Sequence, residues 1–304
     1  MTAQSLGIAF RRGYTLADEA IALIEHAPQT TESLARQVLG LRGAPSAVAA
    51  QVLWELLGSD PRISVNQRGV WSLNSRDGHH DADSRPLSDL SFAVVDVETT
   101  GGMAEGEGRI CEFAAVHVDG GTITDRYDTL VNPGVAITQW VSRLTGISNP
   151  MVAGAPSFAE ISEEVLRRLE GRVFVAHNVG FDWRFVSAEM RRTRSLLPYG
   201  PRLCTVHLAR RVIPGLSRRG LDSVANYYGI SIDGRHRALG DAEATALALV
   251  EMLSGAEKQG VTNWGQLRRW LSRTPKKSAR ARRREKLGGL PREEGPAADE
   301  TPPC

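Results

Sequence analysis

The stretch from Phe92 to Gly101, FAVVDVETTG, places two acids where a folded chain should place none. Phe92, Ala93, Val94 and Val95 are apolar and partly β-branched, as in a strand covered on both faces of an α/β sheet. Asp96 and Glu98 follow, two residues apart, ahead of a Thr-Thr-Gly turn. Side chains at i and i+2 of a strand share a face. Two carboxylates therefore stand side by side at the carboxyl end of a buried strand. Repulsion and lost hydration both oppose this. A covered sheet offers no natural counterion, and hard divalent cations bound by carboxylate oxygens would supply one.

The surrounding pattern fits such a sheet. SFAVVDVE, RICEFAAVHV and ITDRYDTLV read as three successive strands, with Gly120-Gly121 as a tight turn between the second and third. Phe158, Ile161, Val165 and Leu169 have helical spacing, and RVFVAHN is a fourth, apolar strand. A helix through Phe185, Val186 and Met190 follows, then helices over 221–228 and 241–253. A hairpin sheet followed by alternating helix and strand predicts a mixed sheet with helices packed on it.

Two further acids fall where such folds gather polar groups. Asp182 lies just after the fourth strand, at a helix start, and Asp241 opens a later helix with His236 five residues before it. Taken singly, either acid reads as a residue favoured by a helix dipole, and His236 as a surface loop residue. Together with the strand carboxylates they would meet at one mouth of the sheet.

The remainder of the chain is set apart by composition. Residues 1–74 show a Thr15–Asp18 capping box, helices beginning near Thr15, Thr31 and Ser46, and a hairpin around Asn66 to Gly69. Three helices followed by a hairpin resemble a winged helix, through the order of the elements alone. The third helix, around Ala47 to Leu57, has no Arg or Lys, whereas a DNA reader needs basic groups. Contact with a partner or scaffold is the reading preferred. Residues 75–88 are polar and aperiodic, a linker, and its His79, His80, Asp81 and Asp83 read as hydrophilic linker rather than a metal cluster. Residues 273–304 form a basic, then acidic tail: Arg273 to Lys286 holds eight basic residues and one acid. It reads first as a solvated, disordered extension, and second as an electrostatic arm for nucleic acid.

The net charge is +2, and hydrophobic and charged residues make up 41% and 24%, ordinary for a soluble globular protein. Three unclustered cysteines, with no export signal or long apolar run, predict a cytoplasmic protein without membrane contact.

From Phe92 to about Leu253 the chain resembles the DEDD exonuclease superfamily in its DEDDh, DnaQ-like branch, which includes the proofreading epsilon subunit of bacterial DNA polymerase III. The matching motifs are Asp96-Val97-Glu98-Thr99-Thr100-Gly101, His177-Asn178-Val179-Gly180-Phe181-Asp182, and His236 with Asp241. VNP at 131–133 and LTGIS at 144–148 also look like family spacers. The resemblance implies an RNase H-like domain over 89–272. It implies that Asp96, Glu98, Asp182 and Asp241 are catalytic and hold two Mg²⁺ or Mn²⁺ ions, clamping an in-line displacement. It implies His236 as general base, suited to the role because an imidazole ordinarily titrates near neutral pH. Thr99 and Thr100 are expected to touch the 3′-terminal nucleotide. Asn178 and Phe181 are candidates for the substrate side, with core packing the other reading for Phe181. Arg109 and Arg184 could neutralise phosphate or simply cover surface. The family often has Leu after the Thr-Thr-Gly turn. Here Gly102 opens a Gly-rich insert through Gly108, which alters the expected terminal-base pocket.

The implied activity is 3′–5′ hydrolysis of single-stranded 3′ ends to nucleoside 5′-monophosphates, with DNA ranked ahead of RNA. A DNA polymerase or repair complex is the expected protein partner. The alternatives are the same chemistry on RNA, and a non-catalytic nuclease-fold interaction module.

Overall fold

A computed structural model describes residues 6–272 apart from 14, 42, 44, 59, 61, 74–83 and 105. The tail and most of the linker lie outside the described residues. The chain divides after Leu271, and all that follows concerns the part before that point and its last helix.

The N-terminal elements are β1 (Ala9–Arg12), α1 (Leu16–His26), β2 (Gln29–Thr30), α2 (Thr31–Val38), α3 (Ser46–Leu57), β3 (Ile63–Val65) and β4 (Val70–Leu73). The anticipated capping box is present: the Thr15 hydroxyl accepts from Asp18 N–H, and Asp18 accepts from Thr15 N–H at 2.9 Å. Three short strands pair in the order β2-β4-β3. Ile21, Leu34, Leu53, Leu57 and Trp71 fill a small separate core, and buried Trp71 satisfies its indole N–H on the Thr31 hydroxyl.

The second part contains β5 (Ser91–Thr99), β6 (Ile110–Asp119), β7 (Thr122–Leu130), α4 (Gln139–Thr145), α5 (Asn149–Ala153), α6 (Phe158–Leu169), β8 (Val173–Ala176) and α7 (Gly180–Arg194). It continues with β9 (Leu196–Tyr199), β10 (Arg202–Cys204), α8 (Thr205–Val212), α9 (Leu221–Tyr228), α10 (Ala238–Glu257) and α11 (Trp264–Ser272). Five strands form one mixed sheet in the order β10-β8-β5-β6-β7. β5 is antiparallel to β6 and parallel to β8, so it has neighbours on both sides.

Alternation along β5 distributes its side chains between two layers. Phe92 and Val94 pack with residues of α8, α9 and α10 on one face. Ala93, Val95 and Val97 pack with α6 and α7 on the other. Both faces are covered, which is why the strand reads as continuous apolar sequence until Asp96. Asp96 and Glu98 continue the row of Phe92 and Val94 and so belong to the α10 face.

Two segments cross the domain limits drawn from sequence. Residues 6–12 were grouped with the N-terminal helices, yet β1 pairs antiparallel with β9, Ala9 opposite Tyr199 and Arg12 opposite Leu196. Ile8 is buried in the core formed with α6 and α7. The approach requires glycine: a Cβ on Gly7 would lie 1.9 Å from the Gly171 carbonyl carbon. Leu87, placed in the linker, is buried with Leu90 in the sheet core, and Leu87 N–H donates to Thr262 O at 2.9 Å. Polar composition ends before these residues, but nothing local reveals which partner covers them. Cys111 and Cys204 are both buried with free thiols. No helix among the described residues is long and apolar enough to cross a membrane.

Candidate active site

Asp96, Glu98 and Asp241 converge. Each offers a carboxylate oxygen, and the three atoms lie within 4.8 Å of one another. The topology explains the meeting. Asp96 and Glu98 stand on the face of β5 that α10 covers, and Asp241 is in the first turn of α10, only 4% exposed. Asp182 comes from the opposite layer, in the first turn of α7, and is 3% exposed. β8 stops pairing with β5 at Val94, and beyond it Val97 N–H donates to Asp182 Oδ1 at 3.2 Å. Asp182 thus adjoins Asp96 from the side, outside the three-carboxylate group.

The electrostatics match the repulsion anticipated from sequence. Burial is the main cause pushing Asp96 well above the usual carboxylate range, followed by the charges of Asp182, Glu98 and Asp241. Glu98 is pushed up to about 8 by burial, then by Asp241 and Glu112. Asp182 and Asp241 are raised as well, burial again leading. Asp241 Oδ1 is buried without a hydrogen-bond partner. An orphaned carboxylate oxygen among crowded acids suits hard cations with oxygen ligands, so these residues fit the metal that the sequence implies.

The same crowding sets a pH dependence. An unfolded carboxyl titrates near 4, whereas these hold their protons higher in the fold, so between the two the native state binds more protons. In metal-free solution their contribution to stability is full below about pH 4 and lost as pH rises through about 8. Melting in EDTA from pH 5 to 9 should show a falling transition temperature. Glu98→Gln should flatten the fall and melt higher than the parent at pH 9. Parallel curves for the two proteins would refute the crowding.

His236 is held beside Asp241 by its backbone. It is a non-glycine residue at φ 64, a strained left-handed conformation that needs outside support. His236 N–H donates to Asp241 Oδ2 at 3.2 Å. The flanking arginines anchor the loop on both sides. Arg235 donates to Asp222 Oδ1 at 2.8 Å and also to Asp241. Arg237 grips Glu112 of β6 through Nε and Nη2, at 3.0 and 2.6 Å, while Ala238 N–H donates to the same carboxylate at 2.9 Å. Glu112 is 2% exposed. It stands opposite Glu98 in the sheet.

Packing fixes the loop from beneath. A Cβ on Gly240 would lie 1.7 Å from Asp233 O, so Gly240→Ala must displace the segment carrying His236. This variant should lose activity by at least about tenfold while retaining cooperative melting; full activity would show that the close approach is dispensable.

The other residues singled out from sequence fall nearby in different conditions. Thr99 and Thr100 are buried. The Thr100 hydroxyl accepts from Arg109 N–H at 3.1 Å and Thr100 N–H donates to Arg109 O at 2.9 Å, closing the Gly-rich insert at its base. Arg192 of α7 donates to the Ala104 and Gly106 carbonyls, the latter at 2.8 Å, and so pins the insert. Arg109, considered above for phosphate, is instead paired with fully buried Glu189 at 2.6 and 2.9 Å. Asn178 is exposed, at φ 73. Phe181 is 36% exposed with its ring 5.0 Å from that of Phe185, so it both packs and faces solvent. Arg184 is exposed and donates to Gly180 O. His177 Nε2 lies 2.9 Å from Arg219 O and Nδ1 lies 2.9 Å from Thr205 Oγ1. A carbonyl only accepts, so Nε2 carries the proton and Nδ1 accepts from the hydroxyl.

Sequence reasoning missed Glu112, Arg235 and Arg237. For Glu112 a signal existed: an acid inside the apolar run CEFAAV is the same anomaly that marked Asp96.

Comparison with known proteins places this site in context. The family model described as an exonuclease, RNase_T, matches residues 93–249. The chain is 37% identical over 184 residues to DNA polymerase III subunit epsilon of Aquifex aeolicus, covering 60% of this chain and 91% of that one. It is 39% identical over 178 residues to the 3′-5′ exonuclease DinG of Bacillus subtilis, covering 59% of this chain and 19% of that one. Among solved structures, E. coli Exonuclease I in complex with a dT13 oligonucleotide superposes with TM-score 0.50 at 16% identity, over 57% of this chain and 43% of that one. That likeness concerns the fold, a mixed sheet flanked by helices of RNase H-like architecture.

Proposed function

The chain belongs to the RNase_T exonuclease family, and on that premise we propose that it is a metal-dependent 3′–5′ exonuclease releasing nucleoside 5′-monophosphates from DNA 3′ ends. The observation carrying this reading is the group of Asp96, Glu98 and Asp241 within 4.8 Å, with an unpartnered oxygen on Asp241 and His236 bound to that same carboxylate. The names of the relatives, a polymerase III subunit and a 3′-5′ exonuclease, support polarity and substrate.

Asp96, Glu98, Asp182 and Asp241 would hold two divalent ions. Such ions, when bound, supply Lewis-acid stabilisation of charge on the attacking and leaving oxygens. Water adds to phosphorus, the bond from phosphorus to the upstream 3′ oxygen breaks, and that oxygen leaves with a proton. His236 is the group that takes the proton from the water. Arg235 Nη1 lies 3.3 Å from His236 Nδ1. A guanidinium only donates, so Nδ1 is the acceptor in this contact. Arg235 thus contacts both His236 and Asp241.

The exposed positions of α3 include Val48, Val52 and Trp54, and the helix has neither Arg nor Lys. That surface supports reading the N-terminal unit as a winged-helix-like module for contact with a polymerase or repair complex in the cytoplasm, rather than a DNA reader.

The test is digestion of end-labelled single-stranded DNA, duplex DNA with a mismatched 3′ end, and matched RNA, each in Mg²⁺, Mn²⁺ and EDTA. Metal-dependent shortening of DNA from its 3′ end is expected. Shortening of RNA alone would transfer the chemistry to an exoribonuclease, and no shortening of any substrate would leave only an interaction module.

A further inference from the structure

A guanidinium cannot shed its charge, so burying one is costly unless the surroundings hold it. Among the described residues one arginine is buried, Arg202 of β10, at 9% exposure. Its guanidinium carbon lies 4.4 Å from the centre of the Trp183 ring. That is closer than the 5.1 Å of Arg11 over Tyr199 and of Arg168 over Tyr127. An indole face attracts a cation more strongly than other aromatic rings, and more so away from water. Arg202 Nη2 also donates to the Ala22 carbonyl of α1 at 3.3 Å. One buried side chain therefore joins the first helix of the N-terminal unit to a ring of α7.

The ring it holds is next to the chemistry. Trp183 directly follows Asp182 in the first turn of α7. Phe174 of β8 meets the indole edge-on at 5.1 Å, and Phe174 stands opposite Arg202 in the parallel pairing of β8 with β10. The indole is thus seated against Phe174 with Arg202 over its face. Successive side chains of a helix point about 100° apart, so a fixed indole sets the rotation of this turn and with it the direction of Asp182. α1 supplies a second tie: Arg191, in the last turn of α7, donates to Glu19 at 3.1 Å. Glu19 and Ala22 are three residues apart and share a face of α1. α1 is itself fixed on this side, because Arg11 of β1 pairs with Asp18 and β1 pairs with β9.

Resting on the exonuclease reading, we infer that Arg202 is a positioning residue: it locks the Trp183 indole, and through it Asp182, against the N-terminal unit. It touches neither the substrate strand nor the metal. Asp182 is the acid that needs such support, because it comes from the layer opposite Asp241 and stands outside the group formed by Asp96, Glu98 and Asp241. The N-terminal unit, besides offering a surface to a partner, is part of the scaffold that aims the fourth carboxylate.

The experiment makes each variant in the full chain and measures melting, Mn²⁺ binding by calorimetry, and kcat and KM on a single-stranded oligonucleotide. Arg202→Gln should lower kcat and weaken Mn²⁺ binding by about tenfold each, as for other groups that orient metal ligands. KM should stay within about twofold, because no contact with the strand is lost. Arg202→Lys keeps a cation for the ring and should recover most of both losses. Arg172→Gln is the control: it breaks the 2.7 Å pair with Asp119 just before β8, at the end of that strand away from Asp182. It should lower the melting temperature while keeping the parent kcat and Mn²⁺ affinity. Glu19→Gln, which lies wholly in the N-terminal unit, should weaken Mn²⁺ binding by about twofold, as for a distant coupled position. If Arg202→Gln does not melt cooperatively, Trp183→Phe, whose ring attracts a cation less, is read in its place with the same split between kcat and KM. Parent kcat and Mn²⁺ affinity in Arg202→Gln, losses matched by Arg172→Gln, or a raised KM at unchanged kcat would each overturn the inference. Parent Mn²⁺ affinity in Glu19→Gln would overturn the part assigned to the N-terminal unit. A parent that binds Mn²⁺ with these dependences yet shortens no nucleic acid would instead overturn the exonuclease reading beneath it.

Discussion

Asp96→Asn, Glu98→Gln, Asp182→Asn and Asp241→Asn are each expected to cut the rate of 3′-end digestion by about 10³-fold or more. These substitutions keep shape and hydrogen-bonding oxygens, so the loss reads the charge. For Asp182 this matters, because its Oδ1 accepts the Val97 N–H, and alanine would also leave a buried donor unpaired. Groups that act as one unit fail together: once one is removed, removing a second costs little more. Asp96→Asn combined with Asp241→Asn should therefore be scarcely slower than either alone. A double variant whose loss equals the product of the single losses would separate the two acids into independent roles. Calorimetric titration with Mn²⁺ provides a second readout, since each variant should bind the ion more weakly whatever its activity. Unimpaired Mn²⁺ binding in all four would show that the carboxylates serve something other than a metal.

How much of this was readable beforehand depends on the distance over which each feature is encoded. Asp96 and Glu98 were legible because their oddity is local: acids in an otherwise apolar strand. His236 and Asp241 have no such oddity and were singled out by their match to a family motif contained within six residues. Their supports were not legible. Arg237 has its partner Glu112 on β6 and Arg235 has Asp222 on α9. An arginine beside a histidine says nothing of the acid it will meet. The pairing of β1 with β9 joins residues near 10 with residues near 198. AFRR is too short and too polar to announce a strand, and it became one because β9 offered an edge. The Gly-rich insert looked like an interruption of the site. Its Ala104 and Gly106 carbonyls are held by Arg192 from α7, again a long-range contact. A local anomaly drew attention to Asp96 and Glu98 and motif resemblance added Asp182, His236 and Asp241, while the scaffold around them depends on tertiary contacts without local periodicity.

Replacing His236 with alanine should separate catalysis from binding. The side chain is flanked by anchored arginines, and its strained backbone conformation is supported through its own N–H to Asp241. Alanine retains that N–H, so the loop and the carboxylate beneath it should keep their places. A general base contributes roughly 10²–10⁴-fold, and a loss of that size in kcat is expected. Mn²⁺ affinity and KM for a DNA 3′ end should change by no more than about threefold. Added imidazole should restore part of the rate, since truncation leaves space where the ring stood and the missing function is proton acceptance. Arg235→Gln provides the complementary result. Arg235 now occupies His236 Nδ1 and competes for Asp241, so its removal should tighten Mn²⁺ binding while lowering the melting temperature of the metal-free protein, which loses its nearest cation. If His236→Ala keeps full activity, the base lies elsewhere. If it loses activity together with Mn²⁺ affinity and gains nothing from imidazole, His236 only holds the loop.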